Sequence, residues 1–193
     1  MCPNKFRYFI INKPYGVLSQ FSDKEGRKTL KDFFSFPKDV YPVGRLDMDS
    51  EGLLLLTNDK SLTDFLLNPV NKHEREYLVQ VEGEPGDNDL SLFGEGLIIG
   101  GIKTLKAKAV KINTPDLWER IPPIRERRNI LVSWLKVTLI EGRNRQVRKM
   151  TAKLGFPALR LIRIRIENIL LEDLKPGKTR ELSFPEIEKL KMY

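Results

Sequence analysis

Four consecutive leucines, Leu53–Leu56, follow directly on a segment that carries three carboxylates and an arginine. That segment reads Val43-Gly44-Arg45-Leu46-Asp47-Met48-Asp49-Ser50-Glu51-Gly52, and Thr57-Asn58-Asp59 closes the apolar run. So short an apolar run reads as a strand entering the core. Gly44 and Gly52 bracket the acidic residues and give the backbone the freedom of a tight loop. Such a loop can hold a carboxylate rigidly at the wall of a cleft. An acidic turn that merely feeds a buried strand fits the same residues.

The rest of the chain alternates short strands with a few short helices. Tyr8–Asn12 reads as a strand ended by the turn signature Lys13-Pro14-Tyr15-Gly16. Glu76–Glu82, a stretch beginning at Leu105, Ile130–Ile140 and Leu159–Ile166 read as further strands. Helices are expected at Thr29–Phe34, from Ser61 as N-cap to about Leu67, at Asn144–Leu154 and at Pro185–Met192. The spacing suits hairpins better than βαβ crossovers, so the fold class is α+β with a largely antiparallel sheet in one domain. Pro115–Arg128 is polar, charged and proline-containing, and reads as a long surface loop.

The net charge of +8 is unevenly placed. Arg120–Arg165 holds 13 Lys/Arg against Glu126 and Glu141, so it carries +11 and the remaining 147 residues carry −3. Concentrated positive charge suits a polyanion such as nucleic acid, with affinity that falls steeply as salt rises. The single cysteine, Cys2, excludes an internal disulfide and a cysteine-rich zinc site. The lone histidine, His73, lies in a polar stretch and reads as a surface residue. There is no phosphate-binding GxxxxGK[ST] and no dinucleotide fingerprint. Chemistry without metal or nucleotide cofactor is the simplest expectation. No apolar run approaches the roughly 20 residues of a membrane span, and no secretory signal opens the chain. A cytoplasmic protein is expected, and a monomer, since no long heptad seam is visible.

A second segment, Glu141-Gly142-Arg143-Asn144-Arg145-Gln146-Val147-Arg148-Lys149-Met150, sits where a strand hands over to a helix. Helix starts favour phosphate, and Arg145 shares a helical face with Arg148 and Lys149. A solvated basic face is the alternative.

These residues resemble those of a known family. Gly44-Arg45-Leu46-Asp47 followed by Gly52 to Asp59 is similar to the catalytic motif of bacterial ribosomal RNA pseudouridine synthases of the RsuA branch. Asn12-Lys13-Pro14, Arg75-Glu76-Tyr77 and Glu141–Met150 resemble three further motifs, in the family's order, across nearly the whole chain. The stretch Leu117–Arg127 is similar to a loop of the branch's synthase E type, which modifies 23S rRNA. The first strand begins at Tyr8, so the S4-type RNA-binding domain that many members carry ahead of it is not expected here.

The resemblance implies the pseudouridine synthase fold, two subdomains sharing one sheet around a central cleft. It implies a 23S rRNA uridine as substrate. Asp47 corresponds to the essential carboxylate, either attacking the substrate or assisting loss of the base. Arg148 is implied as its ion-pair partner and Tyr77 as the ring stacking on a flipped uracil. Arg45 would fill the space the base leaves or grip the backbone, and Leu161 or Ile162 would pack on the base. Arg120, Arg125, Arg127, Arg128, Arg143, Asn144 and Arg145 would meet RNA. Two rival readings remain: an RNA-binding protein without activity, and an N-glycosidic hydrolase using Asp47 and Asp49 as an acid/base pair.

Overall fold

The computed structural model describes residues 6–124 and 130–192. Strand β3 (Glu51–Thr57) contains the four leucines and is buried at every position. Leu54 and Leu56 enter one core with Ile11 and Val79, and Leu53 and Leu55 enter a second with Ile10 and Ile162. Both faces of β3 are covered, which is why its apolar residues run consecutively instead of alternating. Burying each leucine contributes roughly 1.5–3 kcal/mol before chain entropy is counted.

Among the described residues the main sheet has nine strands. Its path runs β11 (Thr179–Glu181), β1 (Tyr8–Lys13), β3, β9 (Ala158–Ile166), β4 (Arg75–Glu82), β8 (Val132–Leu139) and β7 (Lys108–Ile112). Two short strands sit off this path, β2 (Tyr41–Pro42) on β3 and β10 (Ile169–Leu170) on β9. A separate small hairpin joins β5 (Ile98–Ile99) to β6 (Ile102–Lys103). Every pairing in the main sheet is antiparallel except that of β3 with β9. The expected α+β, largely antiparallel architecture is therefore what the chain adopts.

The parallel contact joins the two halves of the sheet through Glu51 with Ile162 and Gly52 with Arg163. Gly52 has φ +102°, and a Cβ there would lie 2.2 Å from the Arg163 carbonyl oxygen. Only glycine lets the strands approach this closely. The segment carrying Asp47 enters the sheet at this junction.

The helices are α1 (Lys60–Leu67), α2 (Asp87–Glu95), α3 (Gln146–Lys153) and α4 (Phe184–Lys191). Helix α1 is capped by Asp59 rather than by Ser61, since the Asp59 carboxylate accepts from Leu62 N at 3.1 Å. The helix expected at Thr29–Phe34 is a single 3-10 turn, Leu30–Asp32. The strand expected from Leu105 begins at Lys108, because Leu105 N donates to the Glu141 carboxylate and Ala107 N to the end of α2. Helix α2 has weak helix formers along its length and is held by Leu90 and Phe93, which enter the core. His73 is buried, not on the surface, with Nδ1 3.0 Å from a Glu167 carboxylate oxygen and its ring edge-on to Phe65.

Candidate active site

The acidic segment folds as a turn, in which Ser50 N donates to the Asp47 carbonyl at 3.0 Å. Leu46, buried, holds the upstream end: its N–H donates to the Ser19 hydroxyl, which in turn donates to the Leu46 carbonyl. Arg45 and Asp47 on either side of it then point into the same cavity. This is the shared side expected of an extended segment, and the turn begins only after it. From below, Gly16 N donates to the Met48 carbonyl at 2.8 Å.

The cavity measures about 600 Å³. Tyr77 from β4 and Leu161 from β9 form its apolar wall, and Asn144 and Arg145 come from the start of α3. Among the described residues no group donates a hydrogen bond to the Asp47 carboxylate, and its side chain is one-third exposed. Its lone pairs face the cavity, which is what an attacking carboxylate requires.

Arg145 and Arg148 divide the two aspartates differently from the expected scheme. Arg145 is the residue beside Asp47, Nη1 to Oδ2 at 3.7 Å, and grips Asp49 with both terminal nitrogens at 2.9 and 2.7 Å. Arg148 is turned to Asp49 instead, with Nη2 donating to the Asp49 carbonyl at 2.6 Å and Nε 3.4 Å from its carboxylate. The reason is local geometry. Arg145 caps α3 in the left-handed conformation, φ +53°, and so leaves the helical face on which it would have stacked with Arg148. Burial raises the pKa of Asp49, but the hydrogen bonds of Arg145 and the two guanidinium charges outweigh it and hold the carboxyl below its ordinary value. A carboxylate held below its ordinary value is a poor proton donor, so Asp49 is ill suited to the acid role in an Asp47/Asp49 pair.

Other sequence-predicted residues divide. Arg45 is exposed at the cavity rim and unpaired among the described residues. Arg143 also lines the cavity, and it donates to Glu141 at 3.0 Å and to the Lys103 carbonyl at 2.8 Å, pinning the β5–β6 hairpin to the start of α3. Arg120 does not line this cavity; its guanidinium stacks on the Tyr15 ring at 4.2 Å. Arg125, Arg127 and Arg128 lie outside the described residues.

Comparison with known proteins fits this arrangement. Residues 7–153 match the sequence profile described as RNA pseudouridylate synthase. The chain belongs to the RNA pseudouridylate synthase family. It is 51% identical to the ribosomal large subunit pseudouridine synthase E of Vibrio parahaemolyticus, over 91% of this chain and 74% of that one. It is 47% identical to the protein of the same name from Xanthomonas campestris, over 89% and 92%. A crystal structure of a pseudouridylate synthase superposes with a TM-score of 0.77 at 30% identity, covering 98% of this chain and 76% of the other.

Two further arginines line the cavity for which the motifs suggested no role. Arg163 is buried at the cavity wall, its Nε donating to the Leu53 carbonyl at 2.8 Å. Arg75, also buried there, donates to the Leu66 and His73 carbonyls. The interleaving of arginine with Leu and Ile in β9 was the available signal for Arg163.

Lys13 is completely buried, its ammonium donating to the carbonyls of Pro14 and Val17. Burial pushes its pKa down to about 7, against the pull of Glu51, Asp49 and Asp47. An unfolded lysine titrates near about 10.4. Between these two values the unfolded chain binds more protons, so Lys13 makes stability rise with pH across that window. Lys13→Met is expected to flatten this rise when urea unfolding of the two proteins is compared at neutral and alkaline pH. A wild-type slope retained in the variant would contradict the assignment.

Proposed function

We propose that this synthase isomerises a uridine of 23S ribosomal RNA to pseudouridine, with Asp47 as the essential carboxylate. The observation that carries the reading is the Asp47 carboxylate itself, free of hydrogen bonds from the described residues and facing a cavity with Tyr77 and Leu161. In the reaction the N1–C1′ bond breaks, the uracil turns, and a C5–C1′ bond forms. The C5 proton leaves and N1 gains one, so the mass of the nucleoside is unchanged. Asp47 acts either by attack or by assisting loss of the base. The target base enters the cavity by flipping, at a cost of a few kcal/mol that is least in loops and bulges. Tyr77 stacks on it and Leu161 packs on its edge. Arg45 fills the space it leaves or grips the RNA backbone, and Arg145 and Asn144 lie where a neighbouring phosphate would pass. Arg148 supports the catalytic turn through Asp49. The 23S assignment is supported by the identity to the two E-type synthases. The enzyme is proposed to act in the cytoplasm, as a monomer, and without metal or nucleotide cofactor.

The test is nucleoside analysis of 23S and 16S rRNA treated with the protein and digested to completion. Pseudouridine at one 23S position, with no free uracil, is the expected product. Free uracil or abasic RNA would replace this reading by hydrolysis, and modification of 16S alone would overturn the substrate.

A further inference from the structure

Glu51 is the residue that ends the catalytic turn and begins β3. It is 1% exposed, and a buried carboxylate needs its lone pairs filled. Arg160 fills two positions, with Nε at 2.8 Å and Nη2 at 2.9 Å. The third donor comes from outside the sheet: Trp118 Nε1 donates to Glu51 Oε2 at 2.9 Å. Trp118 lies on the strap between β7 and β8, the stretch that polarity alone marks as a surface loop. Arg160 binds it a second time, donating from Nη2 to its carbonyl at 3.0 Å. Two residues on, Arg120 stacks on Tyr15, whose neighbour Gly16 donates to the Met48 carbonyl. The strap thus meets the turn bearing Asp47 directly at its downstream end, through Glu51, and reaches its underside only through Tyr15 and Gly16.

The geometry points to Trp118 as a positioning residue for catalysis: its indole N–H fixes Glu51 and thereby sets where the Asp47 carboxylate stands in the cavity. The inference rests on the synthase reading above. Trp118 touches neither the cavity nor Asp47, so its effect passes through the backbone from Glu51 to Asp47. Displacing a reacting group by about 1 Å can cost about 100-fold in rate. Loss of one of three donors to Glu51 is a smaller disturbance.

The experiment measures single-turnover pseudouridine formation on rRNA by wild type, Trp118→Phe and Trp134→Phe, below the melting temperature of each. Phe keeps an apolar ring but has no N–H. Trp134 packs on the same face of the sheet and makes no hydrogen bond to Glu51, so its replacement reports loss of packing alone. Trp118→Phe is expected to lower the rate at saturating enzyme about tenfold with unchanged RNA affinity, while Trp134→Phe keeps the wild-type rate. Trp118→Met, which also fills space without donating, should match Trp118→Phe and serves in its place if that variant does not fold. A wild-type rate in Trp118→Phe or Trp118→Met overturns the inference, as does an equal loss in Trp134→Phe. Absence of pseudouridine with the wild-type protein would instead overturn the synthase reading itself.

Discussion

Asparagine in place of Asp47 is expected to lower single-turnover pseudouridine formation by about 10⁴-fold or more and to leave RNA affinity near that of wild type. Asparagine has nearly the same size and shape but neither the charge nor the nucleophilic oxygen. The carboxylate accepts no hydrogen bond from the described residues, so its replacement breaks no hydrogen bond of the turn and removes only the 3.7 Å charge contact with Arg145. Those contacts belong to the neighbours: Leu46 to Ser19, Asp49 to Arg145 and Arg148, and Glu51 to Arg160 and Trp118. The variant should therefore melt like wild type, which separates lost chemistry from lost structure. Rapid-quench kinetics with enzyme in excess, together with a binding titration, measures both quantities. A rate within tenfold of wild type would mean that another group does the work.

Gly52→Ala is expected to cost at least about 4 kcal/mol, among the largest effects a single methyl group can have. Two terms add. The backbone at φ +102° disfavours any side chain, and the added Cβ would meet the carbonyl oxygen of Arg163 at 2.2 Å and its nitrogen at 2.8 Å. Both are backbone atoms of a paired strand, so neither can swing aside. The β3–β9 contact must open, and with it the junction from which the catalytic turn hangs. Gly16→Ala provides the comparison. Gly16 also has positive φ, +76°, but nothing lies within 4 Å of its Cβ position, so it should lose only the backbone term of about 1–2 kcal/mol. Urea unfolding of the two variants measures the difference, and equal losses would show that close approach is not what Gly52 provides.

Periodicity and motif order carried much of this molecule. The strands Tyr8–Lys13, Arg75–Glu82 and Ala158–Ile166 follow from spacing, and the four leucines announce a doubly covered strand. Asp47, Tyr77 and Leu161 meet in one cavity although each comes from a different part of the chain. Pairing of charges was not legible. Arg145 and Arg148 lie almost 100 residues from two aspartates of one turn, and which cation meets which anion depends on the left-handed cap at Arg145. The same limit applies to Arg143, which lines the cavity but also donates to Glu141 and a hairpin carbonyl that its sequence neighbours do not announce. Local polarity misplaced His73, which is drawn inward by Glu167, a buried carboxylate remote in sequence. Trp118 lies in the expected surface loop but is held half-buried by Glu51, which is equally remote.

Tritium release tests the central claim most directly. Ribosomal RNA carrying tritium at uracil C5 is incubated with wild type and with Asp47→Ala, and the label appearing in water is counted. Pseudouridine formation attaches C5 to the ribose and expels its hydrogen, so wild type should release tritium in step with product and Asp47→Ala should release none above background. Equal release by both proteins would show that Asp47 is not the catalytic carboxylate. No release from wild type while it still binds the RNA would contradict the synthase reading on rRNA.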